Sequence, residues 1–315
     1  MKILSDPPNA ELDIIFVHGL TGNREKTWTH KKGVFWPQDL LAKDFPTVRI
    51  MTFGYEVDIA TLFTIASSNR VYDHGQSLAY ALVSERDGCS ARPILLIAHG
   101  LGGLVCQQAL IRSTQVDGLW QISSWAVGII FIGTPHSGSS LACHGERLAR
   151  YLSPVQTAEM RTAGTKPGPN DLQRIGNQFQ DMLRGGDISL KVFCFYETKQ
   201  MNDLVGKIVE ESSAVLSDFK SCRVDANHFN VAKFSGRLDA GYEHLRTLVA
   251  SLIETSQKDE AAFVESSNQA FVASFSMSLS CSTAPSPTNY TLDGHTYLNS
   301  FQDVDLIDLS TFTFT

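Results

Sequence analysis

The chain is short of most features that would assign a function at once. No uninterrupted apolar run approaches the roughly 20 residues that span a bilayer. The first residues, Met1 to Asp13, carry Asp-Pro-Pro-Asn and lack the hydrophobic stretch of a secretory signal. A cytoplasmic location without a transmembrane segment is therefore expected, with peripheral membrane contact left open. Positive charge is also scarce: 26 Lys and Arg stand against 33 Asp and Glu, a net of −7. That balance argues against nucleic-acid binding, which needs a basic face. The short basic cluster at Arg24, Lys26, His30, Lys31 and Lys32 reads as a solvated loop. Cys89, Cys106, Cys143, Cys194, Cys222 and Cys281 show no close pairing and no C-x-x-C spacing. They read as reduced core thiols. No metal site and no cofactor is expected, and no G-x-x-x-x-G-K-[ST] phosphate loop is present.

What is present is an alternation of short apolar runs with longer helix-patterned stretches, in a chain of 315 residues that is 43% hydrophobic. That alternation is the signature of a mostly parallel sheet covered on both faces. Strands are predicted at Leu12–Val17, Val48–Phe53, Ile94–Ala98, Val127–Ile132, Val192–Tyr196 and Lys207–Val209. Each is a near-continuous run suited to burial on both sides. Helices are predicted at Trp36–Lys43, Ile59–Ala66, Asp73–Arg86, Leu104–Ser113 and Gly241–Glu254. In the last, Leu245, Leu248, Val249 and Leu252 form one apolar stripe. Residues 137–189 are too long for a simple connection. Leu141, Leu148 and Leu152 suggest one helix there; Leu172, Ile175, Phe179 and Met182, after Asn170-Asp171, suggest another. The turn or hinge Gly164 to Pro169 would part them, and the insertion reads as a lid or as a peripheral excursion. From 255 to 315 the chain turns Ser/Thr-rich, as expected of a poorly ordered tail, leaving 1–254 as the folded domain.

The most informative stretch is Pro93-Ile-Leu-Leu-Ile-Ala-His-Gly-Leu-Gly-Gly103. A strand, a tight turn and a helix follow one another there, which is the context that gives a G-x-S-x-G elbow its meaning. Small residues stand two positions either side of the centre, at Ala98 and Gly102. The centre itself is Gly100, so the nucleophile position carries no hydroxyl. Three other segments fit an acyl-transfer site. The turn Val17-His18-Gly19-Leu20-Thr21-Gly22 offers the Leu20 amide to an oxyanion hole, with the Leu101 amide as its partner. His228, in the polar loop Val224 to Asn230, stands where the order nucleophile, acid, base places an imidazole. Glu197 closes an apolar run upstream and is the favoured acid; Asp203, Glu210 and Glu211 compete with it. His18, Gly19, His99 and Ser137 are expected around the pocket.

Taken in order, these blocks resemble the serine-active-site-containing, lipase-like group of the α/β-hydrolase superfamily, of fungal type. The resemblance rests on Phe16 to Gly22 with Thr27-Trp28 and Trp36-Pro37; on Arg49 to Tyr55; and on the elbow over 93–110. Further along it rests on Phe131-Ile-Gly-Thr-Pro-His-Ser-Gly-Ser139, Phe195-Tyr-Glu197, Ile208-Val209 with Ser213-Ala214, and Asn227 to Phe234. It covers roughly residues 10–254. It implies an α/β-hydrolase fold: a mostly parallel central sheet, helices on both faces and a lid-like insertion. Fungal members of the group often precede NACHT or ankyrin modules, to which this chain does not continue. The resemblance carries over Glu197 and His228 but no nucleophile. Three uses of such a site remain open: acid/base chemistry without a covalent step on a small carbonyl, ester or acyl compound; a catalytically dead module that binds a ligand or partner; or esterase activity through a relocated serine, Ser137 or Ser139.

Overall fold

A computed structural model describes residues 1–19, 22–56, 66–89, 91–136 and 169–258, with positions 144, 147, 148, 151, 291, 292, 295 and 296. Seven strands form one sheet: β1 (Lys2–Ser5), β2 (Leu12–Val17), β3 (Val48–Phe53), β4 (Ile94–His99), β5 (Ala126–Ile132), β6 (Lys191–Glu197) and β7 (Lys220–Val224). Their spatial order is β1-β3-β2-β4-β5-β6-β7. Only β1 is antiparallel to its neighbour; the other five pairings are parallel. This is the mostly parallel sheet of the α/β-hydrolase fold.

Strand periodicity of two sorts the central residues onto two apolar layers. Ile15, Val17, Leu96, Ala98 and Phe131 face α2 (Ala66–Glu85) and α3 (Gly102–Gln115), together with Ile175 and Phe179 of a later helix. Ile14, Phe16, Leu95, Ile97 and Ile130 face the other way, against Trp28, Trp36 and the stripe Tyr242, Leu245, Val249 and Leu252. That stripe belongs to the helix over 240–258. A buried aromatic cluster fills this second layer: Phe16 meets Trp28 and Trp36 edge-on at 5.0 and 5.1 Å.

Several sequence expectations meet corrections. Lys207–Val209 is not a strand. Ile208 and Val209 are buried in a small cluster with Val205 and Ala214, outside the sheet, and their amides serve Glu197 instead. The last strand is β7, whose sequence Lys-Ser-Cys-Arg-Val is too polar to read as one because it lies at the sheet edge. β1, also an edge strand, is half exposed and went unread for the same reason. The helix expected at Trp36–Lys43 begins as a π-helical turn, Pro37–Leu41, and runs into α1 (Ala42–Asp44). The helix expected at Ile59–Ala66 lies outside the described residues except for Ala66, which opens α2. A short α4 (Trp120–Trp125) precedes β5. Within the 137–189 region, α5 (Pro169–Gly185) buries Ile175, Phe179 and Met182. The hinge at 164–168 lies outside the described residues. A four-residue α6 (Glu211–Ala214) follows β6.

The chain divides into two compact units, Met1–Gln257 and Lys258–Thr315. In the second, Thr291–Leu292 pairs antiparallel with His295–Thr296; the rest of the expected tail lies outside the described residues. Among the described residues no helix is long and apolar enough to cross a membrane. Cys89, Cys106, Cys194 and Cys222 are free thiols, and burial pushes that of Cys194 up to about 11.

Where β2 enters the sheet, at the end remote from the elbow, a single buried carboxylate gathers three guanidinium groups. Asp13 accepts from Arg49 Nε and Nη2 at 2.8 and 2.9 Å, from Arg92 Nη1 at 3.0 Å, and from Arg86 Nη1. Arg49 also donates to the Glu85 carbonyl at 3.1 Å, and Arg86 to that of Arg92. The cluster thereby ties β2, β3, the end of α2 and the approach to β4 to one point. Removing one partner of a buried ion pair leaves its opposite charge desolvated, at a cost of about 3–5 kcal/mol. Asp13→Asn is therefore expected to lower unfolding free energy by about that amount, measured by urea denaturation; a loss under about 1 kcal/mol would show the arginines to be solvated instead.

Candidate active site

β4 ends at His99, and the chain turns back on itself at Gly100, whose φ of +54° lies in the left-handed region. The turn is held by Gly100 N–H donating to the Ile132 carbonyl at 2.9 Å and Gly103 N–H to the Gly100 carbonyl at 3.1 Å. α3 then starts at Gly102. A Cβ on Gly102 would lie 2.4 Å from the His18 carbonyl oxygen and 2.6 Å from that of Val17. No side chain fits there, so the start of α3 lies directly against the end of β2. The Leu101 amide, first after the bend, has no acceptor among the described residues. It lies at the positive end of a 14-residue helix, where backbone N–H groups and the helix dipole favour negative charge. Leu20, the second expected oxyanion donor, lies outside the described residues, as do Ser137 and Ser139.

The imidazole and carboxylate meet opposite this bend. Glu197, the last residue of β6 and 0% exposed, places Oε2 2.7 Å from His228 Nδ1. Its Oε1 accepts the Ile208 and Val209 N–H groups, each at 2.9 Å. A carboxylate held by two amides and an imidazole N–H is fixed in position. Of the competing acids, Glu210 pairs with Arg147 at 2.6 Å, and Asp203 and Glu211 are exposed. His228 is 4% exposed. A Cβ built on Gly100 would lie 3.3 Å from His228 Nε2. The ring thus presents its second nitrogen to the elbow centre.

Three neighbours hold His228 in that pose. His99 Nε2 lies 2.9 Å from the His228 carbonyl and must donate to it, with the two rings 4.8 Å apart. Gly133, another residue of left-handed φ (+59°), lies beneath the pair; a Cβ there would come within 3.3 Å of His228 Nδ1 and 3.4 Å of Glu197 Oε2. His144, from the inserted segment, packs edge-on against His228 at 5.3 Å and points Nδ1 at the Ile208 carbonyl at 3.4 Å. Arg147, one turn further on, donates to the Lys207 carbonyl at 2.8 Å. Tyr151 packs on Phe229 at 5.3 Å. His144 was not read from the sequence as a site residue, and Gly133 was read only as part of the block Phe131 to Ser139. For His144 the signal was the helical spacing of 144, 147, 148 and 151; for Gly133 it was that block's place after β5.

His18 is buried. Its Nε2 accepts the Tyr55 N–H at 3.2 Å and its Nδ1 donates to the Gly19 carbonyl at 2.8 Å, while the ring stacks on Tyr55 at 4.4 Å. It is a strut under the 19–22 turn. Among the described residues no cluster of His, Cys, Asp or Glu has the arrangement of a metal site.

Burial holds His18 below the ordinary imidazole range and His99 well below it. Burial also pushes His136 and His144 down to about 3, with His228 adding to the effect at His144. All four are neutral in the folded chain at pH 7. In the unfolded chain each binds a proton below about pH 6.5, so the unfolded state gains protons first and stability falls with acidification. His99, His136 and His144, the most strongly lowered, should each contribute a slope approaching about 1.4 kcal/mol per pH unit below pH 6, and His18 a smaller one. Urea midpoints measured from pH 7.5 to 4.5 should fall steeply; a flat or rising profile would contradict neutral buried rings.

Comparison with known proteins adds distant relatives. No family model matches the chain. Protein SERAC1 of Bos taurus is 26% identical over 243 residues, covering 70% of this chain and 36% of that protein; Protein SERAC1 of Danio rerio is 28% identical over 248 residues with the same coverage. The chain thus spans about a third of the length of the curated relatives it matches. Among solved structures, an inhibited esterase B from Lactobacillus rhamnosis is 13% identical, with a TM-score of 0.46 over 82% of this chain and 81% of that one. The chain has the α/β-hydrolase fold, with glycine at the bend of its elbow.

Proposed function

We propose that this chain acts on a small carbonyl or ester compound by acid/base chemistry without a covalent enzyme intermediate, as a variant of the serine-active-site-containing lipase-like group with Gly100 in the place of the serine. The observation that carries this reading is the 3.3 Å between His228 Nε2 and the position of a Cβ at Gly100. The dyad is aimed at the place where chemistry occurs in a serine hydrolase, and a water or a substrate hydrogen takes the role of the hydroxyl proton there.

His228 Nε2 accepts the proton from that water, or from the substrate itself in an elimination or cyclisation. The imidazolium that forms is stabilised by Glu197 across the 2.7 Å Nδ1–Oε2 bond. Charge gathers on the carbonyl oxygen as the nucleophile adds. The Leu101 amide at the head of α3 is suited to receive it, with Leu20 as the second donor. His228 then returns its proton to the leaving group. Nothing in this sequence of steps needs an acyl-enzyme. Loss of a nucleophile in a dissected serine hydrolase costs about 10⁶ in turnover, leaving roughly 10³–10⁴ over water. Turnover of ordinary esters should accordingly be slow.

Two experiments test the reading. With p-nitrophenyl acetate and butyrate, the wild-type chain should turn over without a burst, and His228→Ala should reduce kcat by about 10²-fold or more; equal rates in the two proteins would exclude His228 as the base. Gly100→Ser should place a hydroxyl beside Nε2, introduce burst kinetics and gain labelling by a fluorophosphonate. It should also lose about 1–2 kcal/mol of stability, because a side chain at φ +54° is strained. Labelling of the wild-type chain would instead point to a relocated serine.

A further inference from the structure

Behind the turn that carries His228 lies a cavity of about 560 Å³, walled by β7, that turn and the head of the helix over 240–258. Its charge is the opposite of the chain's. Lys31, Lys199, Arg223 and Lys233 line it, against two carboxylates, Asp225 and Asp239, in a protein of net charge −7. Both carboxylates are already engaged. Asp225 pairs with Lys199 at 2.7 Å and accepts from Thr198; Asp239 accepts from Ser235 N and Oγ and from Gly241 N at 3.0–3.1 Å. Among the described residues, Lys31, Arg223 and Lys233 form no salt bridge, although Arg223 is near enough to Asp225 to favour its charged form. Lys233 is partly buried as well, which disfavours its charged form. With Lys199 paired to Asp225, three cations face one carboxylate, Asp239, and an anionic ligand relieves the repulsion that remains.

We infer that this cavity binds a phosphate-bearing small molecule and that its occupancy sets the position of His228. The cations exceed the carboxylates by two, which suits a dianion. A guanidinium fork with ammonium groups is a combination suited to phosphate oxygens. The space exceeds that of a bare anion and falls in the range of small-molecule sites, so a polar body accompanies the phosphate. Asn227 and Asn230 offer it carboxamides, since they engage each other through one bond only, Asn230 Nδ2 to Asn227 Oδ1 at 2.8 Å. The coupling to His228 follows from the turn itself. The Asn227 carbonyl accepts the Asn230 and Val231 N–H groups, each at 2.9 Å, so residues 227–231 form one hydrogen-bonded turn. Asn227 and Asn230 face the cavity while His228 faces Glu197 and His144.

Calorimetric titration of the full chain with sodium pyrophosphate tests the site without reference to turnover. Saturable binding, weakened tenfold or more in both Arg223→Gln and Lys31→Gln, is expected; both residues are exposed, so the variants should fold. Absence of binding, or binding unaltered in both folded variants, overturns the site. In protein labelled with ¹⁵N-histidine, pyrophosphate should shift the His228 ring resonances, and fail to do so in Arg223→Gln. Binding that leaves those resonances unmoved overturns the coupling. Flotation with phosphatidylcholine vesicles, with and without phosphatidic acid, separates the two sources of such a phosphate: co-flotation that needs phosphatidic acid and Arg223 assigns a lipid headgroup, and its absence beside pyrophosphate binding assigns a free metabolite.

Discussion

The site depends on one close approach of main chain to main chain. The head of α3 lies against the end of β2 so tightly that the carbonyls of Val17 and His18 occupy the space of a side chain at Gly102. Everything at the C-terminal edge of the sheet is referred to that contact. It sets how sharply the chain bends at Gly100, where the Leu101 amide emerges, and how near the turn after β2 comes to it. A larger residue at 102 would push the helix away from the sheet and carry the amide with it. Gly100 brings no hydroxyl to this bend, and the packing at Gly102 fixes its geometry.

The second determinant is the loop of residues 207–210, which approaches from outside the sheet. Its two amides hold one oxygen of Glu197, leaving the other for His228. The loop is itself clasped by side chains from between β5 and α5: His144 and Arg147 reach the carbonyls of Ile208 and Lys207. These side chains therefore brace the loop that holds Glu197, and His144 packs on His228 at the same time. His144 and Arg147 thus help to keep Glu197 and His228 together.

Much of this was legible in the sequence, for stated physical reasons. β2 to β6 are runs of Val, Ile, Leu and Phe because both of their faces are buried, and such runs are visible without coordinates. The elbow was legible because a strand, a bend and a helix each leave a separate compositional mark there. Edge strands leave none: Lys-Ser-Cys-Arg-Val at β7 is polar on its open side. Ile208 and Val209 misled for the converse reason, being apolar and buried yet outside the sheet. Asp13 was hidden within an apolar run; its three arginines come from positions 49, 86 and 92, and no local pattern links them. Glu197 could be proposed from its place at a strand end. Its selection over Asp203, Glu210 and Glu211 needed the fold, because only the fold shows which carboxylate is turned inward.

The tether from His99 to the main chain of residue 228 limits how the imidazole can move. One ring nitrogen is occupied by Glu197 and the backbone beneath is pinned, so flipping the ring would break the carboxylate bond before making another. A single nitrogen is then left to exchange hydrogen with whatever enters. The consequence is a strict order of events. Under the chemistry proposed above, a hydrogen taken up through that atom would have to leave through it before a second could arrive.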